Sequence, residues 1–286
     1  MSDPVGRHNG GSDRSSPVAI VTGAASGIGR HWARVLRGRG FRLALADVNG
    51  EGLRAAFDAE ADVRLHTLDT RSVDGWQKMV DDTLHHFGAI DYLFNIAGSG
   101  RPGFLLDVPM DLVDTSIDVN LKGHIYGMKS VGPVMVRQGY GHIVNMSSLA
   151  GISPTPGNEL YSAAKSGLRA VSIATAIRLR PMGVSVTVVC PDLVDTPTLA
   201  KHLTLDPNDV ALIHSGRRAL TLVEVESALV RALRDRPLEI TVPRSRGWFV
   251  KVVNLLPHLM FHFHGPLMRR GLRRLETLKR ARVRPA

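Results

Sequence analysis

Short apolar, β-branched runs recur along this chain, separated by stretches of helical length. Pro17–Thr22 (PVAIVT), Phe41–Asp47 (FRLALAD), Asp62–Asp69 (DVRLHTLD) and Ile90–Asn95 (IDYLFN) are the first four. Gly141–Ser147 (GHIVNMS), Val184–Cys190 (VSVTVVC) and Leu238–Val242 (LEITV) complete the set. Runs of this length and content read as strands. Strands alternating with helices predict an α/β fold with a parallel sheet of about seven strands, covered on both faces. Right-handed crossovers make such a sheet doubly wound. The Pro/Gly-rich stretches 99–109 and 151–158 read as loops inside this unit, and there is no internal repeat. The pattern predicts a single domain over 17–243, a flexible N-terminal tail over 1–16 and a separate C-terminal extension over 244–286.

Composition narrows the function classes. A chain of 286 residues, 44% hydrophobic, can bury a large core in one α/β domain. Cys190 is the single cysteine, which excludes an intrachain disulfide framework and a cysteine-rich metal site, and no metal is expected. That usage suits a reducing, cytoplasmic setting. Residues 1–16 lack the apolar core of a signal peptide, and no run of about 18 apolar residues predicts a membrane span. The net charge of +10 sits entirely at the C-terminal end: Arg244–Ala286 holds 11 Lys/Arg against one acid, Glu276, leaving 25 basic and 25 acidic residues before it. A neutral body with a basic tail does not describe a nucleic-acid-binding fold. Within the tail, the apolar stretches Gly247–Leu256 and Leu259–Phe263 precede Arg269, Arg270, Arg273 and Arg274. This amphipathic, basic pattern over 247–286 fits peripheral contact with an anionic membrane surface, and equally a cover over a substrate pocket or a sister subunit.

The first strand is followed by Thr22-Gly23-Ala24-Ala25-Ser26-Gly27-Ile28-Gly29. Glycines at 23, 27 and 29 let the backbone turn tightly and approach a pyrophosphate, and the helix beginning near Gly27 offers free N–H groups to phosphates. Alone, this is also the sequence of an ordinary βα turn. Asp47 ends the second strand 18 residues after Gly29, where a carboxylate can hold both adenosine ribose hydroxyls. It would repel the 2′-phosphate of NADP, and Val48 rather than a basic residue follows, so NAD is the expected cofactor. Further along, Tyr161-Ser162-Ala163-Ala164-Lys165 places a phenol and an ammonium four apart on one helix face. An ammonium beside a phenol, together with a positive nicotinamide ring, lowers the phenol's ordinary value near 10 and fits it for proton transfer at neutrality. Such a pair also occurs on ordinary surface helices.

The glycine turn and the Ser148, Tyr161 and Lys165 spacing together resemble the classical short-chain dehydrogenase/reductase family (SDR) over residues 17–243. That resemblance implies a Rossmann fold, assembly as a homodimer or homotetramer, and hydride transfer between NAD(H) and a secondary alcohol or ketone. It implies a catalytic set of Asn120, Ser148, Tyr161 and Lys165, with Tyr161 as general acid/base, Ser148 gripping the substrate oxygen and Asn120 fixing a water that links Lys165 to solvent. Ser148 rather than Ser147 occupies the matching position. The cofactor would be bound by Gly23, Ser26, Gly27, Ile28, Gly29, Asp47, Val48, Asp69, Thr70, Asn95, Ala97, Gly98, Tyr161, Lys165, Pro191, Val194 and Thr196. Asp69 would meet the adenine edge and Thr196 the nicotinamide carboxamide. Two departures stand out: Ile96 replaces a second asparagine, and Asp192 occupies a position where the family commonly has glycine. By the same analogy, 99–109, 151–160 and 196–216 border the substrate. Phe104, Leu105, Leu106, Ile152, Leu160, Leu199 and Leu203 favour a hydrophobic alcohol or ketone, with Glu159, His202 and His214 as polar candidates. The competing readings are a catalytically silent nucleotide sensor and a membrane-surface protein that keep the fold without the chemistry.

Overall fold

The computed structural model describes residues 16–100, 102–197, 199, 216, 218–258, 261, 262, 265, 266, 269–271 and 273. Leu203, His202, His214, Leu259, Phe263 and Arg274 lie outside the described residues.

Seven strands form one sheet: β1 Val18–Thr22, β2 Arg42–Asp47, β3 Val63–Thr67, β4 Tyr92–Asn95, β5 Gly141–Met146, β6 Val184–Pro191 and β7 Glu239–Val242. Every expected strand is present, with bounds differing by a few residues at the ends. All six pairings are parallel, in the order β3-β2-β1-β4-β5-β6-β7. The order reverses between β1 and β4, which leaves a crevice at the carboxyl ends of these strands. This is the doubly wound Rossmann arrangement.

Alternation along the strands feeds two cores. Ala19, Val21, Leu43, Leu45, Tyr92, Phe94, Val144 and Val189 point to one face. There they meet Trp32 and Leu36 of α1 (Gly27–Gly38) and Val225 and Leu229 of α7 (Leu222–Asp235). Val18, Ile20, Ala44, Leu93, Ile143 and Val186 point to the other face. Their partners include Trp76 and Met79 of α3 (Val73–Phe87), Met128 and Val131 of α5 (Gly123–Gln138) and Ala176 of α6 (Glu159–Leu179). The short α2 (Gly50–Ala56) connects β2 to β3, and α4 (Met110–Ile117) leads through a π-helical turn, Asp118–Lys122, into α5.

A third cluster lies on the α6 side at the β6–β7 edge: Leu149, Ile152, Val188 and Cys190 pack with Val250. Val250 belongs to α8 (Arg244–Leu255), so the first helix of the C-terminal extension is docked on the sheet. No helix of the described residues is long and apolar enough to cross a membrane.

Leu43 is fully buried in the first core. Leu43→Ala leaves a cavity there, and the expected loss of stability is about 2–5 kcal/mol. Urea unfolding checks this; a midpoint equal to the wild type's would mean that the site collapses without cost.

Candidate active site

At the β1 end of the crevice, Thr22 joins two strands. Its hydroxyl oxygen accepts from the backbone N–H of Ile96 (2.9 Å) and Ala97 (3.0 Å), so the turn after β1 and the exit of β4 are held together. Gly29 packs its Cα against the same turn: a Cβ there would lie 2.1 Å from the Gly23 carbonyl oxygen. Gly23 itself has φ +71°, and a Cβ on it would touch the Ala97 backbone at 3.0 Å. The first turn of α1 has no side-chain cap from Ser26, and its Gly27, Ile28 and Gly29 line the crevice. Asp47 closes this end. One carboxylate oxygen accepts from Ala25 N (2.9 Å) and the other from Asn49 N (2.9 Å), which fixes the side chain across the turn.

A single cleft of about 890 Å³ runs from this turn to the far residues. Gly23, Ser26, Gly27, Ile28, Gly29, Asp47, Val48, Asp69, Thr70, Ala97, Gly98, Asn120, Ser148, Tyr161, Lys165, Pro191, Val194 and Thr196 all line it. Asn95 does not. It is fully buried, and its amide donates to His124 O (3.0 Å) and Asn145 Oδ1 (3.3 Å) behind the cleft wall. The strand's alternation turns this side chain away while its neighbours Ile96 and Ala97 reach the surface of the cleft. Asp69 lines the cleft with its carboxylate forked by Arg71 (2.6 Å), and Arg71, which the sequence did not single out, lines it too. The guanidinium holds the Asp69 carboxyl below its usual value.

At the other end, the Ser148 hydroxyl hydrogen-bonds the Tyr161 phenol. Ser148 also accepts from Ala150 N (3.2 Å), which fixes its rotamer. Ser147 points the other way and donates to the Lys165 carbonyl (2.9 Å), tying the end of β5 to α6. Lys165 is buried, donates to Met146 O (2.9 Å), and sits with Nζ 5.7 Å from the centre of the Tyr161 ring. Asn120 lies in the π-helical turn, fully buried. Its amide donates to Ser99 O and Ser116 O, and its oxygen accepts from Ser99 N. The side chain therefore braces the segment after β4, and no hydrogen bond joins it to Lys165.

The proton states differ from the sequence expectation. Burial pushes the Tyr161 phenol up to about 12, and its hydrogen bond with Ser148 offsets only part of that rise. Burial also pulls Lys165 down to about 7. Two neighbouring groups in a desolvated site both favour their neutral forms, so the protein's own charges do not acidify the phenol. Behind them, His124 is held well below its ordinary value, by burial first and Lys165 second.

The substrate side also differs. Phe104, Leu105 and Leu106 are exposed and do not line the cleft, and Ile152 is buried in the third core cluster. Leu160 and Glu159 are likewise absent from the lining. Leu199 lines the cleft as expected, and the rest of the apolar wall comes from Leu149, Leu193 and, from α8, Phe249, Val250 and Val253. Asp192 bonds Leu193 N (2.8 Å) and Gly216 N (2.8 Å) and pairs with Arg246 of α8 (2.6 Å). Among the described residues, no group of three or more His, Cys, Asp or Glu side chains is placed to hold a metal.

The model of the short chain dehydrogenase family matches residues 17–205. The chain belongs to this family. Its curated relatives include an uncharacterized oxidoreductase of Staphylococcus epidermidis, 34% identical over 181 residues, which cover 63% of this chain and 79% of that protein. One of Staphylococcus saprophyticus is 33% identical over 204 residues, 68% of this chain and 87% of its own. Among solved structures, levodione reductase superposes with a TM-score of 0.73 at 26% identity, covering 82% of this chain and 99% of the other. A short chain dehydrogenase/reductase from Burkholderia phymatum in complex with NAD superposes with a TM-score of 0.74 at 27% identity, covering 87% and 95%. The chain is thus an oxidoreductase of the short-chain dehydrogenase type.

The lowered Lys165 value has a measurable consequence. An unfolded chain keeps this proton up to about 10.5, whereas the folded protein releases it near 7. Between those values the unfolded state binds more protons, so this group makes stability rise with pH. Lys165→Met is expected to flatten the dependence of unfolding free energy on pH between 7 and 9 in urea titrations; an identical slope in the variant would contradict the shift.

Proposed function

We propose that this short-chain dehydrogenase interconverts a secondary alcohol and a ketone on a fairly hydrophobic substrate, with NAD(H) as cofactor. The observation that carries the reading is the hydrogen-bonded Ser148–Tyr161 pair, with Lys165 one helical turn on, facing the cleft that the glycine turn opens. The residues present fit a dinucleotide. A Cβ at Gly23 would press on the Ala97 backbone and one at Gly29 would strike the Gly23 carbonyl, and the first turn of α1, which lines the cleft without a side-chain cap from Ser26, suits a pyrophosphate. Asp47 faces the cleft at the end of β2, where its carboxylate can accept from two ribose hydroxyls and repel a 2′-phosphate. Asp69 and Thr70 would flank the adenine, and Pro191, Val194 and Thr196 the nicotinamide.

When bound, the nicotinamide supplies the hydride or accepts it, and in its oxidised form adds a positive charge. The chain's own residues do the rest. Ser148 Oγ donates to the reacting oxygen and holds it beside the phenol. In reduction, Tyr161 Oη gives its proton to that oxygen as the carbonyl carbon becomes a carbinol. A phenol held near 12 carries this proton throughout the neutral range. Lys165, near 7, can take and release protons at neutrality and is placed to reprotonate the phenol. In oxidation the same atoms run in reverse, and Tyr161 Oη receives the alcohol's proton. Asn120, through Ser99, keeps the segment after β4 against the reacting end.

Tyr161→Phe is expected to lower turnover by about 10²–10⁴-fold while NADH binding, followed by fluorescence, is retained. Unchanged turnover would remove the phenol from the mechanism. Cofactor binding with no turnover by the wild type on any alcohol or ketone would point to a silent nucleotide sensor.

Asp47→Ala is expected to narrow the preference for NAD over NADP by roughly tenfold or more, since hydrogen bonds to a charged group contribute about 1.5–3 kcal/mol. Steady-state kinetics with both cofactors tests this. A wild type that already prefers NADP would contradict the role given to the carboxylate.

One observation supports a second property. Trp248, Val252, Leu255, Leu256 and Phe261 are exposed on the extension, which also carries the exposed Arg244 and Arg269. Such a stripe suits peripheral contact with an anionic lipid surface, and a sister subunit is the competing cover. Trp248→Ser with Leu255→Ser should then reduce co-sedimentation with phosphatidylglycerol vesicles at least severalfold. Equal pelleting of variant and wild type would exclude the lipid contact.

A further inference from the structure

Helix α8 is built into the cleft rather than laid over it. Gly247 lets the helix meet β7 at backbone distance: a Cβ there would fall 2.0 Å from Thr241 Oγ1. Three residues on, Val250 is buried with Leu149, Ile152, Val188 and Cys190, below the segment that carries Ser148. Two carboxylates then fix the helix along its length. Asp192, just after Pro191, pairs with Arg246 at 2.6 Å and takes Gly216 N at 2.8 Å through the same oxygen. Glu239 of β7 pairs with Lys251 and, through its other oxygen, with Arg169 of α6 at 2.5 Å. Arg169 is one helical turn beyond Lys165, so the helix that carries the phenol and the amine is tied through Glu239 to α8. Glu239 and Asp192 are each about 10% exposed, while Arg246, Arg169 and Lys251 are 27%, 32% and 46% exposed, so salt screens these pairs in part. Held in this way, α8 presents Phe249 and Val253 to the cleft that Ser148 and Tyr161 share.

We propose that α8 is the selecting wall of the substrate site. Phe249 and Val253 contact the apolar part of the ketone or alcohol, and the Asp192–Arg246 pair sets how far these side chains stand from the reacting oxygen. The substrate class rests on the oxidoreductase reading above; the wall itself does not. Asp192 and Arg246 are positioning residues, acting on the substrate through the placement of α8. Phe249 and Val253 touch it.

The test compares cyclohexanone, a narrow ketone, with α-tetralone, a fused bicyclic one, using NADH as reductant. Phe249→Ala and Val253→Ala are expected to lower the ratio of kcat/KM for α-tetralone over cyclohexanone at least about fivefold, mainly through KM, because apolar contacts are lost with one substrate more than the other. Asp192→Asn and Arg246→Met should lower the same ratio and speed hydrogen exchange of the amides of 244–255 at least about tenfold, with Arg246→Lys restoring both. Variants that lose turnover equally on both ketones, or that leave exchange in 244–255 unchanged, would overturn the proposal. If the wild type reduces neither ketone, these two are not its substrates and the family assignment stands. The wall is then judged by binding of 2-naphthol, read by its fluorescence. Kd at least about fivefold weaker in Phe249→Ala and Val253→Ala upholds it, and an unchanged Kd sinks it.

Discussion

The distance between two stretches of backbone governs this molecule's cleft. The turn leaving β1 winds so tightly that a methyl group would not fit between Gly29 and the Gly23 carbonyl, Gly23 stands against the Ala97 backbone at the exit of β4, and Thr22 Oγ1 accepts from both N–H groups of that exit. Because the strand order reverses there, helices leave the sheet on opposite faces and nothing fills the space between them. The crevice is therefore a product of topology, and the glycines keep it from closing. Every other group in the cleft takes its meaning from that placement. Asp47 marks one end, and Tyr161 lies at the other.

Burial then sets the chemistry. The reacting phenol and its neighbouring amine are taken out of water together, and both respond by favouring their uncharged forms. The result is a site that stores a proton on the phenol at neutral pH and keeps an amine beside it that can exchange one. An argument from charge proximity alone predicts an acidified phenol. It fails because the amine that was to supply the positive charge is itself desolvated and aimed at the Met146 carbonyl. Electrostatic help for ionising Tyr161 must come from outside the chain's own side chains.

The C-terminal segment shows charge serving as structure. Its excess of basic residues reads along the chain as a solvated or surface-seeking tail, yet Arg246 and Lys251 are already committed to Asp192 and Glu239. Asp192 follows the carboxyl end of β6, and Glu239 opens β7 beside Val188 of the same strand. Asp192 stands at the point where the resemblance leads one to expect glycine. Its side chain has a task that glycine could not perform, since it gathers Leu193, Gly216 and Arg246 around one carboxylate.

Short apolar, β-branched runs separated by helical stretches were enough to place all seven strands, because a strand buried on both faces must be apolar wherever it lies. The glycine turn, Asp47, Ser148, Tyr161 and Lys165 were legible for a related reason: their spacing is local, set by one turn and one helix face. What the chain order could not convey was orientation and non-local company. Asn95 turns inward because the strand's alternation puts its side chain behind the cleft. Phe104, Leu105 and Leu106 are apolar by type but stand in the open, while Phe249 and Val253, nearly ninety residues beyond Tyr161, replace them on the wall. What Thr22, Asp192 and Arg246 bind was not legible, since each acts through a partner distant in sequence. Local pattern thus determined the fold and the candidate catalytic residues; only packing in three dimensions decided the proton states and which surfaces line the cleft, because desolvation and contact depend on everything that surrounds a residue.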